Sequence, residues 1–288
     1  MKLFQAYMHL LIFLSLAATS PAVAKYAKTW CNDSCGNNVT IPFPFGIGSD
    51  CAVNEWYIIE CNNSTPYLPA VLNRPEVLGV SLEDQTVTVS TPKITGCQNT
   101  VGNISQTVSM NLGGSPFFFS RSHNKFVFEG CGTASMKTDD ESVVTGCSTT
   151  CVNNFTLSSD INKCVGNRCC QTTISRYLRS YSIHLIGLER QGVDEACGSA
   201  FLVDQTSYDE QRFSDPFIYG NDSVIPISLL WTLTNSDQFS CCNDGDPTRP
   251  VVGMFNDTQV DTLKCVLPRL SLPEDNPYLK DGCIDYGM

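Results

Sequence analysis

Sixteen cysteines in 288 residues constrain this chain more than any other feature. They stand at Cys31, Cys35, Cys51, Cys61, Cys97, Cys131, Cys147, Cys151, Cys164, Cys169, Cys170, Cys197, Cys241, Cys242, Cys265 and Cys283. The count is even, and such a density is foreign to cytosolic chains without metal or redox motifs. An oxidising compartment makes disulfides the default use for all of them. Spacing alone does not give the pairing. The adjacent pairs Cys169-Cys170 and Cys241-Cys242 form strained rings if bonded to each other, so each pair is expected to staple one strand to two others. Zinc is the other use of clustered cysteines, but the export route and the scarcity of histidine argue against it.

The N-terminus supports that compartment. Residues 1–24 read as a secretory signal, with Lys2 as the positive end, an apolar run from Leu10 to Ala17 and a small-x-small cleavage site at Ala22-Val23-Ala24. The run is shorter than the ~20 residues of a spanning helix. Cleavage removes none of the cysteines. The sequons at Asn32, Asn38, Asn62, Asn63, Asn103, Asn154, Asn221 and Asn256 fit the same route and mark expected glycosylation at surface turns or strand edges. The adjacent Asn62 and Asn63 compete for one glycan. Val224 to Leu233, broken by Pro226, is too short to span a membrane, so no membrane span is expected in this chain.

Charge excludes one class of partner. Acidic residues number 29 and basic residues 18, a net charge of −11, whereas nucleic-acid binders need a basic face. An enzyme is equally hard to assemble. Beyond the signal the histidines are His123 and His184, and no G-x-S-x-G, H-E-x-x-H or P-loop is present. The pairs Asp194-Glu195 and Asp209-Glu210 read as solvated loop charges rather than as a glycosidase pair.

Strand patterns dominate. Val77 to Leu82 and Thr86 to Ser90 flank a polar turn and read as a hairpin. Phe117 to Phe119 and Lys125 to Glu129 read as a second one. Trp56 to Ile59, Tyr181 to Leu188, Ala200 to Val203 and Val224 to Leu230 are further strand candidates, and Ile174 to Arg179 could make one short helical turn. Asn103 to Pro116 and Gly132 to Gly146 read as connectors. The expected fold is mainly β: two small disulfide-rich β-domains in tandem, with irregular loops. Their bounds are 25–104 and 105–265, after the signal at 1–24 and before a tail at 266–288.

The run Cys31 to Gly48, CNDSCGNNVTIPFPFGIG, followed by Cys51 and by Trp56-Tyr57-Ile58-Ile59-Glu60-Cys61-Asn62, resembles the galacturonan-binding domain of plant wall-associated receptor kinases. Phe118 to Val127 before Gly130-Cys131, then Cys147 to Cys151, Cys164 to Thr172 and Cys197 to Val203, resemble the second Cys-rich extracellular region of the same receptors. Asn276 to Leu279 and Gly282 to Asp285 resemble the end of an EGF-like module. The resemblance covers about residues 30–240 and includes no kinase, so kinase activity is not carried over.

The resemblance implies binding of pectin, a polyuronide of the cell wall; with no catalytic constellation in the sequence, no catalysis and no cofactor are expected. Trp30, Trp56, Tyr57 and Tyr67 suit stacking on a sugar's C–H face, because each ring has a polar tip. Phe43 and Phe45 are expected to plug the core instead. A uronate polymer asks for cations, and folding would have to gather Arg74, Lys93 and Arg121, since residues 25–100 hold four basic and seven acidic residues. Calcium bridging carboxylates on both partners is the other route. A peptide or protein ligand, or a co-receptor, is the alternative partner, and a wall-modifying enzyme is the second alternative. The expected location is the cell wall, or the plasma membrane if the chain is part of a receptor.

Overall fold

The computed structural model describes residues 26–36, 39–93, 95–98, 106–151, 164, 166–188, 196–209, 224–242, 260–265 and 276–280. The signal segment, Cys283 and the sequons at Asn38, Asn103, Asn154, Asn221 and Asn256 lie outside them.

The protein is mainly β. A small sheet joins β1 (Gly46–Ile47), β2 (Ile58–Asn62) and β3 (Thr65–Tyr67). A second sheet has the order β4 (Val77–Ser81), β5 (Thr86–Pro92), β15 (Val224–Trp231), β8 (Phe117–Phe119). A third runs β12 (Cys169–Thr173), β9 (Asn124–Gly130), β14 (Ala196–Asp204), β6 (Thr95–Gln98). The fourth runs β11 (Val143–Thr149), β10 (Gly132–Lys137), β13 (Ser180–Ile186), β7 (Gln106–Asn111). One short helix, α1 (Gln205–Asp209), follows β14, with Asp204 Oδ1 accepting from Ser207 N at 2.8 Å as its N-cap.

The expected β4–β5 hairpin forms, with Gln85 in the left-handed region at its turn. Other expectations are corrected. Phe117–Phe119 and the 125–129 strand do not pair with each other: β8 joins β15, and β9 joins β12 and β14. Their apolar residues are almost all buried, so each strand is claimed by a different sheet rather than by its neighbour in sequence. The connector 103–116 contains β7, and 132–146 contains β10 and the start of β11. Only the turn at 138–142 stays as the polar loop. Ile174 to Arg179 is irregular, and the short helix is α1.

Strands from both sides of residue 104 share sheets. β5 pairs with β15 along Val224↔Pro92 to Leu230↔Thr86, and β6 pairs with β14. The 104/105 boundary therefore does not divide the hydrogen-bonded framework. Packing crosses it too. Phe45 and Tyr57 meet Phe117 and Trp231, with ring centroids 5.7–6.3 Å apart, and Tyr278 closes the cluster 5.2 Å from Trp231. Ile41, Phe43 and Phe45 are fully buried, so the Ile-Pro-Phe-Pro-Phe run is a core plug.

Disulfides tie the loops to these sheets. Cys31–Cys51 and Cys35–Cys61 hold the N-terminal segment. Cys131–Cys151, Cys147–Cys170 and Cys164–Cys169 cluster around β10, β11 and β12. Cys241–Cys265 fixes the C-terminal stretch, and Cys197 and Cys242 are bonded as well. Neither vicinal pair bonds to itself. Cys170 reaches β11, while Cys169 closes a short local loop to Cys164, five residues away, rather than a second strand.

Candidate functional site

The β2–β3 hairpin builds one edge of the site. Its two-residue turn, Asn63-Ser64, has positive φ at both positions, the conformation that matches strand twist. Asn62 and Asn63 sit exposed at this tip, and Asn32 is exposed as well, so these three sequons are accessible. Glu60 lies directly opposite Tyr67. The chain then folds back on itself. Leu68 N donates to Pro75 O at 2.9 Å, Arg74 N to Val71 O at 3.0 Å, and Tyr67 bridges to Glu76. Leu68 and Val71 tuck inward; Leu72 and Arg74 point out. Asn73 and Arg74 hold φ of 68° and 47°, a costly conformation for non-glycine residues that recurs at binding sites.

This loop covers a cavity of about 300 Å³, at the lower end of small-ligand sites. Val89, Phe119, Ile227 and Leu229 form a buried apolar floor. Tyr67, Leu72, Arg74, Glu76 and Val224 stand around it. Leu72 is 72% exposed and Val224 56%, so the mouth has an apolar edge beside the charged Arg74 and Glu76. Arg74 Nη2 donates to the Glu60 carboxylate in an exposed ion pair, the kind worth ~0–1 kcal/mol.

The six residues singled out in the sequence separate. Tyr67 and Arg74 come together at this cavity. Trp30 is fully exposed, in a turn closed by Cys31 N donating to Lys28 O at 3.0 Å. Trp56 is 36% exposed on a 3-10 turn, Glu55–Tyr57, capped by Asn54 Oδ1 accepting from Trp56 N at 2.9 Å. The same turn drives Tyr57 inward. Its hydroxyl donates to the Thr232 carbonyl, and burial, then Asp237 and Tyr278, push the phenol well above its ordinary pKa. Tyr57 thus has no face open to a sugar. Lys93 is buried and ion-paired with Glu129, its ammonium 5.0 Å from the Phe201 ring centroid. Arg121 Nη1 donates to Ser175 O at 3.0 Å. Of the three cations expected to gather, only Arg74 lines the cavity.

A second cavity, about 590 Å³, lies mainly on the opposite face of β5 and β15, lined by Thr86, Thr88, Pro226 and Ser228, while Ser90 and Val224 border both cavities. Thr86, Thr88 and Ser228 give it a hydroxyl wall, with Asp84, Asp204 and His123 beside them. The Thr-Val-Thr-Val alternation at 86–89 was its only signal in sequence. Ser120 Oγ lies 3.0 Å from His123 Nδ1, and His123 Nε2 lies 3.7 Å from Asp84. Ser120 is fully buried, so this serine has no open path to a substrate. Among the described residues no three His, Cys, Asp or Glu converge as a metal site.

A family described as wall-associated receptor kinase galacturonan-binding matches residues 31–91. Wall-associated receptor kinase-like 1 of Arabidopsis thaliana is 31% identical over 90% of this chain and 38% of its own length. Wall-associated receptor kinase-like 6 of the same plant is 30% identical over 94% of this chain and 46% of its own length. The chain spans less than half the length of these relatives.

Proposed function

The chain carries the wall-associated receptor kinase galacturonan-binding domain at residues 31–91 and is a relative of the wall-associated receptor kinase-like proteins over about nine-tenths of its length, and on that premise we propose that it binds pectic galacturonan in the cell wall. The role is that of a wall-associated receptor ectodomain: an extracellular docking surface rather than a reaction centre.

One observation carries the reading. The matched segment supplies Tyr67, Leu72 and Arg74 to the mouth of an apolar cavity. A sugar's C–H face lies against Tyr67 and the apolar rim, while its hydroxyls meet Asn73, Asn111 and Ser90 of the same lining. Trp30 and Trp56 remain exposed stacking positions along the same segment and its N-terminal flank. Tyr57 and Lys93 serve the core instead.

Calorimetry of the mature, disulfide-intact protein with homogalacturonan fragments tests this. Binding should be measurable, and Tyr67→Ala should weaken it about five- to tenfold through loss of one aromatic face. A chelator separates direct docking from a calcium bridge: affinity that vanishes with the metal assigns the contact to bridged carboxylates. Absence of binding to any galacturonan, with or without calcium, contradicts the proposal and leaves the peptide-ligand alternative.

A further inference from the structure

We infer that the hydroxyl-lined cavity on the β4-β5-β15 face is a second binding site, and that it takes a cationic ligand whose ammonium groups are spaced along an extended chain. This site is separate from the galacturonan reading and stands or falls on its own.

The direction of the hydroxyl protons is the first ground. Ser228 Oγ donates to Asp204 Oδ2 at 2.7 Å. With that proton committed, Thr88 Oγ1 is the donor in its 3.2 Å contact with Ser228 Oγ. Ser207 donates to Asp204 Oδ1 from both N and Oγ, at 2.8 Å each, and Ser81 Oγ donates to Asp84 Oδ2 at 3.0 Å. A hydroxyl has one proton and two lone pairs, and a carboxylate only accepts. What this wall keeps open for a ligand is therefore acceptor capacity. Thr86 adds to it. It lines the cavity with 4% of its surface exposed, and its hydroxyl has no hydrogen-bond partner among the described residues. A buried hydroxyl left unpaired is costly, and an N–H donor from a ligand satisfies it.

Charge and its spacing are the second ground. Glu76, Asp84 and Asp204 line the cavity; among the described residues there, none is Lys or Arg, and His123 alone can turn positive. Anions are repelled from such a place and cations drawn to it. The three acids do not gather at a point. Asp84 lies at the Thr86 end, where Ser81 pairs with Thr86. Asp204 reaches the middle through Ser228, the partner of Thr88. Glu76 marks the Ser90 end, where Ser90 N donates to Glu76 O at 2.9 Å. Thr86 to Ser90 is about 13 Å of strand at ~3.3 Å per residue. One metal ion cannot serve acids spread over that length, whereas ammonium groups about 6–7 Å apart can, the spacing of alternate residues in an extended chain. Leu78, Val224 and Pro226 give the methylene stems an apolar surface to lie on. The same lining holds no Phe, Tyr or Trp on which a sugar could stack.

Calorimetry of the intact, disulfide-bonded protein tests this with two probes: spermidine, and an end-blocked Lys-Ala-Lys-Ala-Lys peptide. Binding is expected and should weaken as salt rises. The same peptide with its lysines acetylated should not bind. Thr86→Val keeps the β-branched shape and removes the hydroxyl; it should weaken binding about tenfold while leaving the fold as stable as before. Asp84→Asn, at an exposed position, should weaken it about two- to fivefold. Binding of spermidine alone names a polyamine, and binding of the peptide alone names a basic peptide segment; either upholds the site when Thr86→Val weakens it. Binding of neither probe, equal binding of the acetylated peptide, or binding that both substitutions leave unchanged overturns the proposal. No galacturonan enters the experiment, so its result is independent of how that polymer binds.

Discussion

Replacing Trp231 with alanine should destabilise the protein by about 3–5 kcal/mol, the range for removing a large buried aromatic side chain. Trp231 ends β15 and is fully buried. Its ring sits 5.9 Å from Phe45, 6.3 Å from Tyr57 and 5.2 Å from Tyr278, measured between centroids. Phe45 and Tyr57 belong to the N-terminal segment and Phe117 to β8, while Tyr278 returns from the far end of the chain. Edge-to-face contacts of this kind add to simple burial. The indole is thus the point where the stretch holding Phe45 and Tyr57 is fastened to the β4-β5-β15-β8 sheet, whose β5 and β15 floor the cavity. Chemical denaturation with the disulfides intact checks this. A loss below about 1 kcal/mol would mean that the cluster relaxes around the missing ring. Trp231→Phe, which keeps part of the volume, should cost less than alanine.

Lys93→Met should cost about 3–5 kcal/mol, because it leaves the Glu129 carboxylate buried without its ion-pair partner. Both side chains are almost wholly inaccessible. Glu129 sits in β9 between Cys169 of β12 and Ser199 of β14, in the middle of its sheet. Lys93 follows β5, so the pair links two sheets across the 104/105 boundary. The double variant Lys93→Met with Glu129→Leu should recover most of the loss, since replacing a buried ion pair by apolar side chains of similar size is often neutral. A single substitution as mild as the double one would show that the buried charge finds water in the folded state.

Lys93 also shows where the sequence stops being informative. A lone lysine after a strand reads as a solvated cation, because lysines are rarely buried. Its partner lies 36 residues away, and nothing local announces it. Tyr57 is similar: Trp56 and Tyr57 are equivalent in composition, and only the Asn54-capped turn decides which one faces water. Tyr67 and Arg74 were legible as candidates, but their convergence depends on the Leu68–Pro75 fold-back and on β7, which had read as a connector. The strands with clear two-residue alternation or β-branched runs, β4, β5, β13, β14 and β15, were readable in the sequence. Their pairing was not. β8 and β9 are neighbours in sequence with a short polar connection, yet β8 joins β15 more than a hundred residues away while β9 joins β14 of a different sheet. The disulfide framework was expected from the count alone, and the partners came only with the fold.

Hydrogen exchange in the presence of galacturonan fragments tests the central claim most directly, since it reports where the polymer sits without disturbing any residue. The account predicts added protection in the 67–76 loop and the adjacent part of β5, with little change around the hydroxyl-lined cavity on the other face. Protection confined to that other face, or none anywhere at saturating fragment, would contradict it.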